Sequence, residues 1–468
     1  MESRYFYFEK DLLATGHKRL NNRTILDLWN GFCFTSGNLI LAEDSSMPFG
    51  FKAGDVDYPS LQEGNEFVLE VTENGIGIVG ESYEALARGF MVLLMRIEAI
   101  SLKEGCECFR IETCRLAGSY SVSVRMIHFC IFPETSAAFI RKFIRLAGIM
   151  QYTHVILEFW GMLKYDCLKE LSWENAFSKE QAKAILQEIE NMGMKAIPMF
   201  NHLGHASACR VSGGKHVVLD QNPRLATLFA QDGWSWNIRN PETRALLKKI
   251  RCELYAFFPS CEYIHLGCDE VYSYESGDEN QAAMRQYLHD LMEEVKLEGK
   301  TPIIWGDMLL NAEECEVEKP YFCGCDTPEN ARKMIDSIPK DTVIADWHYD
   351  VRQSPIKTSV YLKQKGYSVL GTPWYDTENC RAHVETIIEN NLTGILVTTW
   401  HTLSEKVTHI ILSAVFCGAY HSPWAGEVKN EIETEMASLL RKAYFVHGNY
   451  TEAGWTDRQI FRQARPLI

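Results

Sequence analysis

Short apolar segments alternate with amphipathic segments from residue 125 onward, and this alternation constrains the fold more than any other feature of the sequence. It is typical of parallel β–α–β units. The segments predicted to be strands are Arg125–Ile131, His154–Phe159, Lys195–Phe200, Tyr263–Cys268, Pro302–Trp305, Thr342–Trp347, Tyr367–Gly371 and Thr393–Thr399. Strands in this number, separated by helices over about 300 residues, predict an α/β fold of the (β/α)8 TIM barrel type. A doubly wound open sheet is the alternative, but no Gly-rich phosphate-binding loop follows any of these strands.

A hairpin and a helix precede the barrel. Phe67–Val71 and Ile76–Val79 flank Asn74-Gly75, the dipeptide that most favours a tight hairpin turn. Apolar residues then recur at helical spacing within Tyr83–Ile97, so this helix is predicted to pack on the hairpin. The predicted organisation is a small α+β domain over residues 1–118, a catalytic barrel over 119–425 and a C-terminal helical extension packed on the barrel over 426–468.

Composition excludes several classes of partner. Hydrophobic residues make up 46% of the 468 residues, which indicates a globular protein. The 47 basic and 62 acidic residues give a formal net charge of -15, which disfavours nucleic acid because phosphate binding needs clustered Lys and Arg. No apolar run reaches the length of a membrane span, so no membrane partner is expected. Whether the chain forms a homodimer stays open.

The cysteine pattern and the first residues predict a cytoplasmic location. The 15 cysteines are scattered and include no Cys-x-x-Cys, which favours reduced thiols over a disulfide framework or a zinc ribbon. Met1–Leu13 mixes charged and aromatic residues and lacks the apolar stretch of a signal peptide.

Polar and aromatic residues collect where the predicted strands end, which is the end of such a barrel that carries the active site. Five of these ends carry a tryptophan, although the chain has only 11. Aromatic rings stack on the apolar faces of sugars while carboxylates bind hydroxyls, so this combination indicates a sugar site. Each residue alone is weak evidence: the pair Asp269-Glu270 recurs as Asp278-Glu279 in a segment that reads as a solvated loop, and a lone tryptophan is more often core.

The segment Ile264–Glu270 resembles the signature of glycoside hydrolase family 20, the β-N-acetylhexosaminidases, whose fourth strand ends His-x-Gly-Gly/Ala-Asp-Glu. Gly204-His205 is similar to the Pro-Gly-His that follows the family's third strand. Arg125 opens the first strand, where the family has an arginine that holds sugar hydroxyls. Cys130 and Glu158 depart from the family pattern, and the first two strands look closer to the hexosaminidase D-like members.

The resemblance implies a retaining exo-β-N-acetylhexosaminidase that removes terminal β-linked GlcNAc or GalNAc by substrate-assisted catalysis through an oxazolinium intermediate. Glu270 would be the general acid and base, Asp269 would orient the acetamido group, and Tyr375 would steady its carbonyl. The residues expected to bind the substrate are Arg125, Glu158, His205, Trp305, Asp307, Trp347, Tyr375, Asp376 and Trp400. No cofactor and no metal is required. Glu405 lies too far past Trp400 for the family's Trp-x-Glu, so the GlcNAc or GalNAc preference stays open.

Two other functions are compatible with the sequence. A metal-dependent barrel hydrolase would use histidines near strand ends, namely His128, His202, His205, His265 and His348, together with Asp307. Against it, the first strand offers one histidine instead of a His-x-His pair. A non-catalytic sugar-binding protein would keep the pocket without the chemistry, and the intact Asp269 and Glu270 disfavour it.

Overall fold

The computed structural model describes residues 4–9, 11–33, 38–101, 108–133, 135–206, 222–258, 260–400, 403, 408–420 and 432–443. Its N-terminal part is built on two sheets. The strands are β1 (Tyr5–Glu9), β2 (Asp11–Gly16), β3 (Asn38–Glu43), β4 (Gly50–Gly54), β5 (Phe67–Thr72), β6 (Gly75–Gly80), β7 (Glu98–Ser101), β8 (Cys108–Glu112) and β9 (Cys114–Ala117). One sheet has the order β3-β2-β4-β6-β5-β9, and the other has the order β1-β8-β7.

The predicted hairpin is present as β5 and β6, which pair antiparallel from Phe67↔Gly80 to Thr72↔Gly75. The predicted helix follows it as α2 (Tyr83–Met95), where the Ser82 side chain accepts a hydrogen bond from Ala85 N–H and caps the first turn. The buried face of α2 packs on β5 and β6, so hairpin and helix share one core.

Eight parallel strands close into a barrel, which confirms the predicted fold class. They are β10 (Val124–Cys130), β11 (His154–Glu158), β12 (Lys195–Met199), β13 (Tyr263–His265), β14 (Thr301–Trp305), β15 (Val343–Trp347), β16 (Ser368–Thr372) and β17 (Gly394–Thr398). The barrel closes where β10 pairs with β17 in the register Arg125↔Ile395.

Helices surround the barrel. The α-helices are α1 (Arg23–Cys33), α2 (Tyr83–Met95), α3 (Ala137–Ile149), α4 (Lys179–Asn191), α5 (Pro241–Phe257), α6 (Asp278–Leu297), α7 (Pro328–Ser337), α8 (Lys357–Gln364), α9 (Thr377–Glu389), α10 (Thr408–Phe416) and α11 (Ile432–Ala443). Helix α11 packs against α1, α3 and α10. The three domain boundaries stay predictions, and residues 421–431 and 444–468 lie outside the described residues.

The interior of the barrel is filled with side chains, which restricts a binding site to its mouth. Met126, Ile156, Met199, Ile303 and Leu396 belong to one buried apolar cluster inside the strands. Because this cluster leaves no channel for a ligand, an active site can lie only at the rim formed by the carboxyl ends of the strands. Within the described part of the chain, no helix is long and apolar enough to cross a membrane and no disulfide joins the cysteines.

Candidate active site

The chain leaves β13 in a conformation that brings two adjacent carboxylates to one place. Trp305 N–H donates to the Gly267 carbonyl at 3.0 Å, so the chain still runs beside β14 at that point. Cys268 and Glu270 then adopt φ angles of 75° and 48°. Such left-handed backbone is uncommon for residues other than glycine and interrupts the alternation of side chains along a strand. Asp269 and Glu270 can therefore both face the mouth of the barrel.

His205 lies between the two carboxylates. Its Nε2 is 3.1 Å from Asp269 Oδ2 and 3.2 Å from Glu270 Oε2. The loop that carries His205 reaches them because Gly204 has no side chain: a Cβ there would lie 1.9 Å from the Asp269 carbonyl oxygen. The side chain of Glu270 is 30% exposed against 6% for Asp269, so Glu270 is the carboxylate that faces solvent.

A third carboxylate, that of Asp307, binds the backbone of Glu270. Its Oδ2 accepts a hydrogen bond from Glu270 N–H at 2.9 Å, and its Oδ1 accepts one from Trp347 Nε1–H at 3.2 Å. Asp307 is only 1% exposed, and its carboxylate holds the Glu270 backbone and the Trp347 indole, so sugar binding by Asp307 stays a prediction. Burial, followed by the negative charge of Asp269, raises the pKa of Asp307 well above its usual value.

Aromatic side chains form the wall and the floor of the site. Trp347 and Tyr349 stack with their ring centres 5.1 Å apart, and Trp400 Nε1–H donates to Tyr349 Oη at 2.9 Å. Trp305 lies below, 5.7 Å from Trp400 and 4.3 Å from His265 between ring centres. Trp305 is 1% exposed, so its contact with a sugar stays a prediction, whereas Trp347 and Trp400 are half-buried.

Two residues of the site escape the sequence prediction. Trp234 donates its indole N–H to the Glu270 carbonyl at 2.9 Å, and its ring centre lies 4.4 Å from that of His205. It belongs to an irregular loop after β12, where no periodic pattern marks it. Tyr349 lies two residues after Trp347, just past the end of β15, and this position is the signal that could have found it. Burial raises the pKa of Tyr349 far above its usual value, and the charges of Asp269 and Glu270 add to the effect.

His265 lies beneath the carboxylates as a neutral side chain. Its Nδ1 accepts a hydrogen bond from Gly267 N–H at 3.1 Å, which fixes the turn that leads to Asp269. Complete burial lowers the pKa of His265 to about 3. His202 behaves alike: its Nδ1 faces the Phe200 carbonyl at 2.6 Å, and burial lowers its pKa to about 3.

Sugar binding by Arg125 stays a prediction, and the position of the side chain does not favour it. Arg125 is the second residue of β10, so it lies at the amino end of the barrel, away from the mouth. Its guanidinium is 1% exposed and donates to the carbonyls of Val122, Ser123 and Gln151 at 2.8 to 2.9 Å. The guanidinium thus contacts backbone carbonyls and the Tyr120 ring, whose centre lies 3.8 Å from Arg125 Cζ, at the barrel base.

Sugar binding by Glu158 also stays a prediction that the position of the side chain does not favour. Glu158 is fully buried at the end of β11. Its Oε1 accepts a hydrogen bond from Asn201 Nδ2 at 2.7 Å, and its Oε2 lies 3.0 Å from His128 Nε2 and 3.1 Å from Cys130 Sγ. Both carboxylate oxygens therefore contact other side chains of the protein, below the floor of the site.

Tyr375 and Asp376 follow β16 at the rim. Asp376 caps helix α9: its Oδ1 accepts hydrogen bonds from Glu378 N–H and Asn379 N–H at 2.9 and 3.1 Å, and its Oδ2 pairs with Arg352. Tyr375 packs against Trp374 with 4.5 Å between ring centres. Sugar binding by both residues stays a prediction.

Residues 401, 402 and 404–407 lie outside the described residues, so the position of Glu405 is not tested.

Comparison with known proteins agrees with this architecture. The catalytic domain of glycosyl hydrolase family 20 matches residues 152–441, more than half of the chain. The chain belongs to glycosyl hydrolase family 20. Among named relatives of this family 20 chain, the lacto-N-biosidase of Bifidobacterium bifidum is 23% identical over 201 residues, and hexosaminidase D of Homo sapiens is 21% identical over 214 residues. These matches cover 39% and 42% of the chain, and 17% and 42% of the relatives.

Solved family 20 structures share the fold over nearly the whole chain. The exo β-N-acetylglucosaminidase of Vibrio harveyi, in complex with N-acetylglucosamine, superposes with a TM-score of 0.62 at 14% identity and covers 100% of this chain and 77% of that chain. The β-N-acetylhexosaminidase of Bacteroides fragilis gives a TM-score of 0.61 at 15% identity and covers 98% and 93%. At such low identity the likeness concerns the fold.

Proposed function

We propose that this family 20 protein is a retaining exo-β-N-acetylhexosaminidase that removes terminal β-linked GlcNAc or GalNAc from glycans. The observation that carries the proposal is the pair Asp269 and Glu270, joined by His205 beside a wall of Trp347 and Trp400. Hexosaminidase D and the N-acetylglucosamine complex from Vibrio harveyi among its relatives support this class of substrate.

The positions of the carboxylates favour a nucleophile supplied by the substrate. Retaining enzymes with a protein nucleophile place it about 5 to 5.5 Å from the general acid, on the other face of the sugar. Among the described residues, the nearby carboxylates of Asp307 and Glu158 are buried and committed to protein partners. Asp269 is adjacent to Glu270 and shares its histidine, so it lies on the same side. The 2-acetamido group of the substrate is therefore the nucleophile of this proposal.

In the first step, the acetamido oxygen attacks the anomeric carbon while the bond to the leaving oxygen breaks. Glu270 donates its proton to that oxygen, and the sugar becomes an oxazolinium ion. Asp269 accepts a hydrogen bond from the acetamido N–H and stabilises the positive charge that develops on it. Tyr349, with Tyr375 as the alternative, donates to the acetamido carbonyl oxygen.

In the second step, the Glu270 carboxylate takes a proton from water, and the water oxygen attacks the anomeric carbon. The bond to the acetamido oxygen breaks, the acetamide is restored, and the sugar leaves with its original β configuration. General acid and base catalysis of this kind contributes about 10² to 10⁴ in rate. His205, with its Nε2 against both carboxylates, holds them in one geometry through both steps.

The test is hydrolysis of 4-nitrophenyl β-GlcNAc, β-GalNAc and β-glucoside by the wild type, Asp269→Asn and Glu270→Gln. Glu279→Gln is the matched control, because Asp278-Glu279 repeats the same dipeptide at the exposed start of α6. We expect cleavage of the two N-acetyl substrates only, loss by at least about 10²-fold in both site variants, and full activity in the control. Equal cleavage of the glucoside, or full activity in the site variants, would contradict the proposal.

A further inference from the structure

A second group of chemically active side chains lies below the floor of the site. Among the described residues, His128, Cys130 and Glu158 bring one donor atom each within 4.8 Å of one another. His128 and Cys130 are two residues apart on β10 and therefore point to the same face, and Cys130 pairs in register with Glu158 on β11. Parallel pairing of the first two barrel strands thus builds the cluster. All three residues are buried.

We propose that this cluster binds a thiophilic divalent cation, with Zn²⁺ as the natural occupant. The donor atoms are 3.0 Å apart for His128 Nε2 and Glu158 Oε2, 3.1 Å for Cys130 Sγ and Glu158 Oε2, and 3.6 Å for Cys130 Sγ and His128 Nε2. A tetrahedral zinc ion bound at about 2.0 to 2.3 Å separates such donors by roughly 3.3 to 3.6 Å. Movements of a few tenths of an ångström bring all three donors to that spacing.

Hydrogen bonding already orients the glutamate for an ion. Asn201 Nδ2 donates to Glu158 Oε1 at 2.7 Å, which turns the other oxygen, Oε2, toward His128 and Cys130. A polar group that holds a ligating carboxylate in place is the usual support of a protein metal site. Asn201 itself is 3% exposed at the carboxyl end of the neighbouring β12, so this support is rigid.

Charge balance favours the ion. A zinc ligand set of this kind consists of the Cys130 thiolate, the Glu158 carboxylate and a neutral His128 imidazole, and its two negative charges match the charge of the dication. Binding Zn²⁺ releases the thiol proton to solvent, leaves a thiolate and a carboxylate against a dication, and makes the site neutral. Thiolate and imidazole donors select Zn²⁺ over Mg²⁺ or Ca²⁺, which prefer oxygen.

The ion would brace the pocket without taking part in catalysis. The His128 ring lies edge-on to Trp400, with 4.8 Å between ring centres, and 6.4 Å from Trp305. Fixing His128 therefore fixes the aromatic floor on which a ligand rests. The site is separate from Asp269 and Glu270, so it is consistent with catalysis that needs no metal.

The experiment is a titration of the full chain, freed of metal by chelation, with Co²⁺ as a spectroscopic stand-in for Zn²⁺. We expect a sulfur-to-cobalt charge-transfer band in the near ultraviolet that one equivalent of Zn²⁺ abolishes. The band is lost in Cys130→Ser and kept in Cys380→Ser, a buried thiol on α9 that serves as the matched control. Zn²⁺ raises the melting temperature of the wild type and of the control, and leaves that of Cys130→Ser unchanged.

The absence of the band from the wild type would overturn the proposal even if the Cys130 variant fails to fold. A band of equal intensity in a folded Cys130→Ser would also overturn it, because the metal would then be bound by other cysteines. The readout is metal binding, so it is independent of whether the protein cleaves hexosaminides.

Discussion

Acid is expected to unfold this protein well above the pH at which its carboxylates are protonated. Burial is the main cause that lowers the pKa of five histidines: to about 3 for His202, His265 and His383, and to about 4 for His154 and His409. These side chains stay neutral in the folded state. In the unfolded chain each of them takes up a proton near pH 6.5.

The sign and size of the effect follow from proton linkage. The unfolded state binds more protons than the folded state between pH 6.5 and the lowered pKa values, so stability is complete above pH 6.5 and falls below it. Each histidine lowers the free energy of unfolding by about 1.4 kcal/mol for every pH unit below 6.5, which amounts to about 2 kcal/mol at pH 5. The five histidines together give a loss of about 10 kcal/mol at pH 5, and the raised pKa of Asp307 acts in the opposite direction, so the net loss is smaller. The total free energy of unfolding of natural domains is about 5 to 15 kcal/mol.

The assay is urea denaturation at pH 7 and pH 5, followed by circular dichroism. His383→Leu is the informative variant, because His383 is fully buried on α9 and neither ring nitrogen has a hydrogen-bond partner among the described residues. Leucine fills a similar volume and does not titrate, so the variant should lose about 2 kcal/mol less than the wild type between the two pH values. A free energy of unfolding that is the same at pH 7 and pH 5 would refute the reasoning, as would equal losses in both proteins.

Three further experiments, with four substitutions, test the assigned roles. Asp307→Asn should lower kcat by about 10- to 100-fold with little change in KM. Asp307 accepts hydrogen bonds from Glu270 N–H and Trp347 Nε1–H, and the NH₂ group of asparagine would face one of these donors, a mismatch that costs about 1 to 3 kcal/mol. An unchanged kcat would show that Asp307 does not position Glu270. Arg125→Met should lower the melting temperature and leave KM within about twofold, because Arg125 contacts backbone carbonyls and the Tyr120 ring at the barrel base. A large rise in KM in a variant that calorimetry shows to be stable would restore its sugar contact. Tyr349→Phe should lower kcat for 4-nitrophenyl β-GlcNAc more than Tyr375→Phe does, and the reverse order would assign the acetamido carbonyl to Tyr375.

The fold was predictable because its signal is distributed over the whole chain. Seven of the predicted barrel strands agree with the structure to within one or two residues at each end. The exception is the fourth, predicted over Tyr263–Cys268, whereas β13 ends at His265. Hydrophobic periodicity continues through Leu266 and Cys268, but the left-handed backbone at Gly267 and Cys268 turns the chain away from strand geometry. Periodicity reports burial and does not report backbone dihedral angles.

The site was predictable only in part, because proximity to a strand end does not say which end of the barrel a side chain occupies or how deeply it is buried. Arg125 matches the family pattern by its place near the first strand, yet it opens that strand and lies at the base. Glu158 lies at the correct end and is buried among His128 and Cys130. Trp234 comes from an irregular loop whose path depends on tertiary contacts, such as its bond to the Glu270 carbonyl.

Azide rescue of Glu270→Ala tests whether the substrate's acetamido group is the nucleophile. With 4-nitrophenyl β-GlcNAc the leaving group departs without an acid, so only the second step lacks its base. Azide needs no base: it attacks the anomeric carbon of the oxazolinium ion and displaces the acetamido oxygen. We expect azide to restore turnover and nuclear magnetic resonance to identify the product as the β-glycosyl azide, while Asp269→Asn is not rescued. An α-glycosyl azide, or no response to azide in a folded variant, would contradict it.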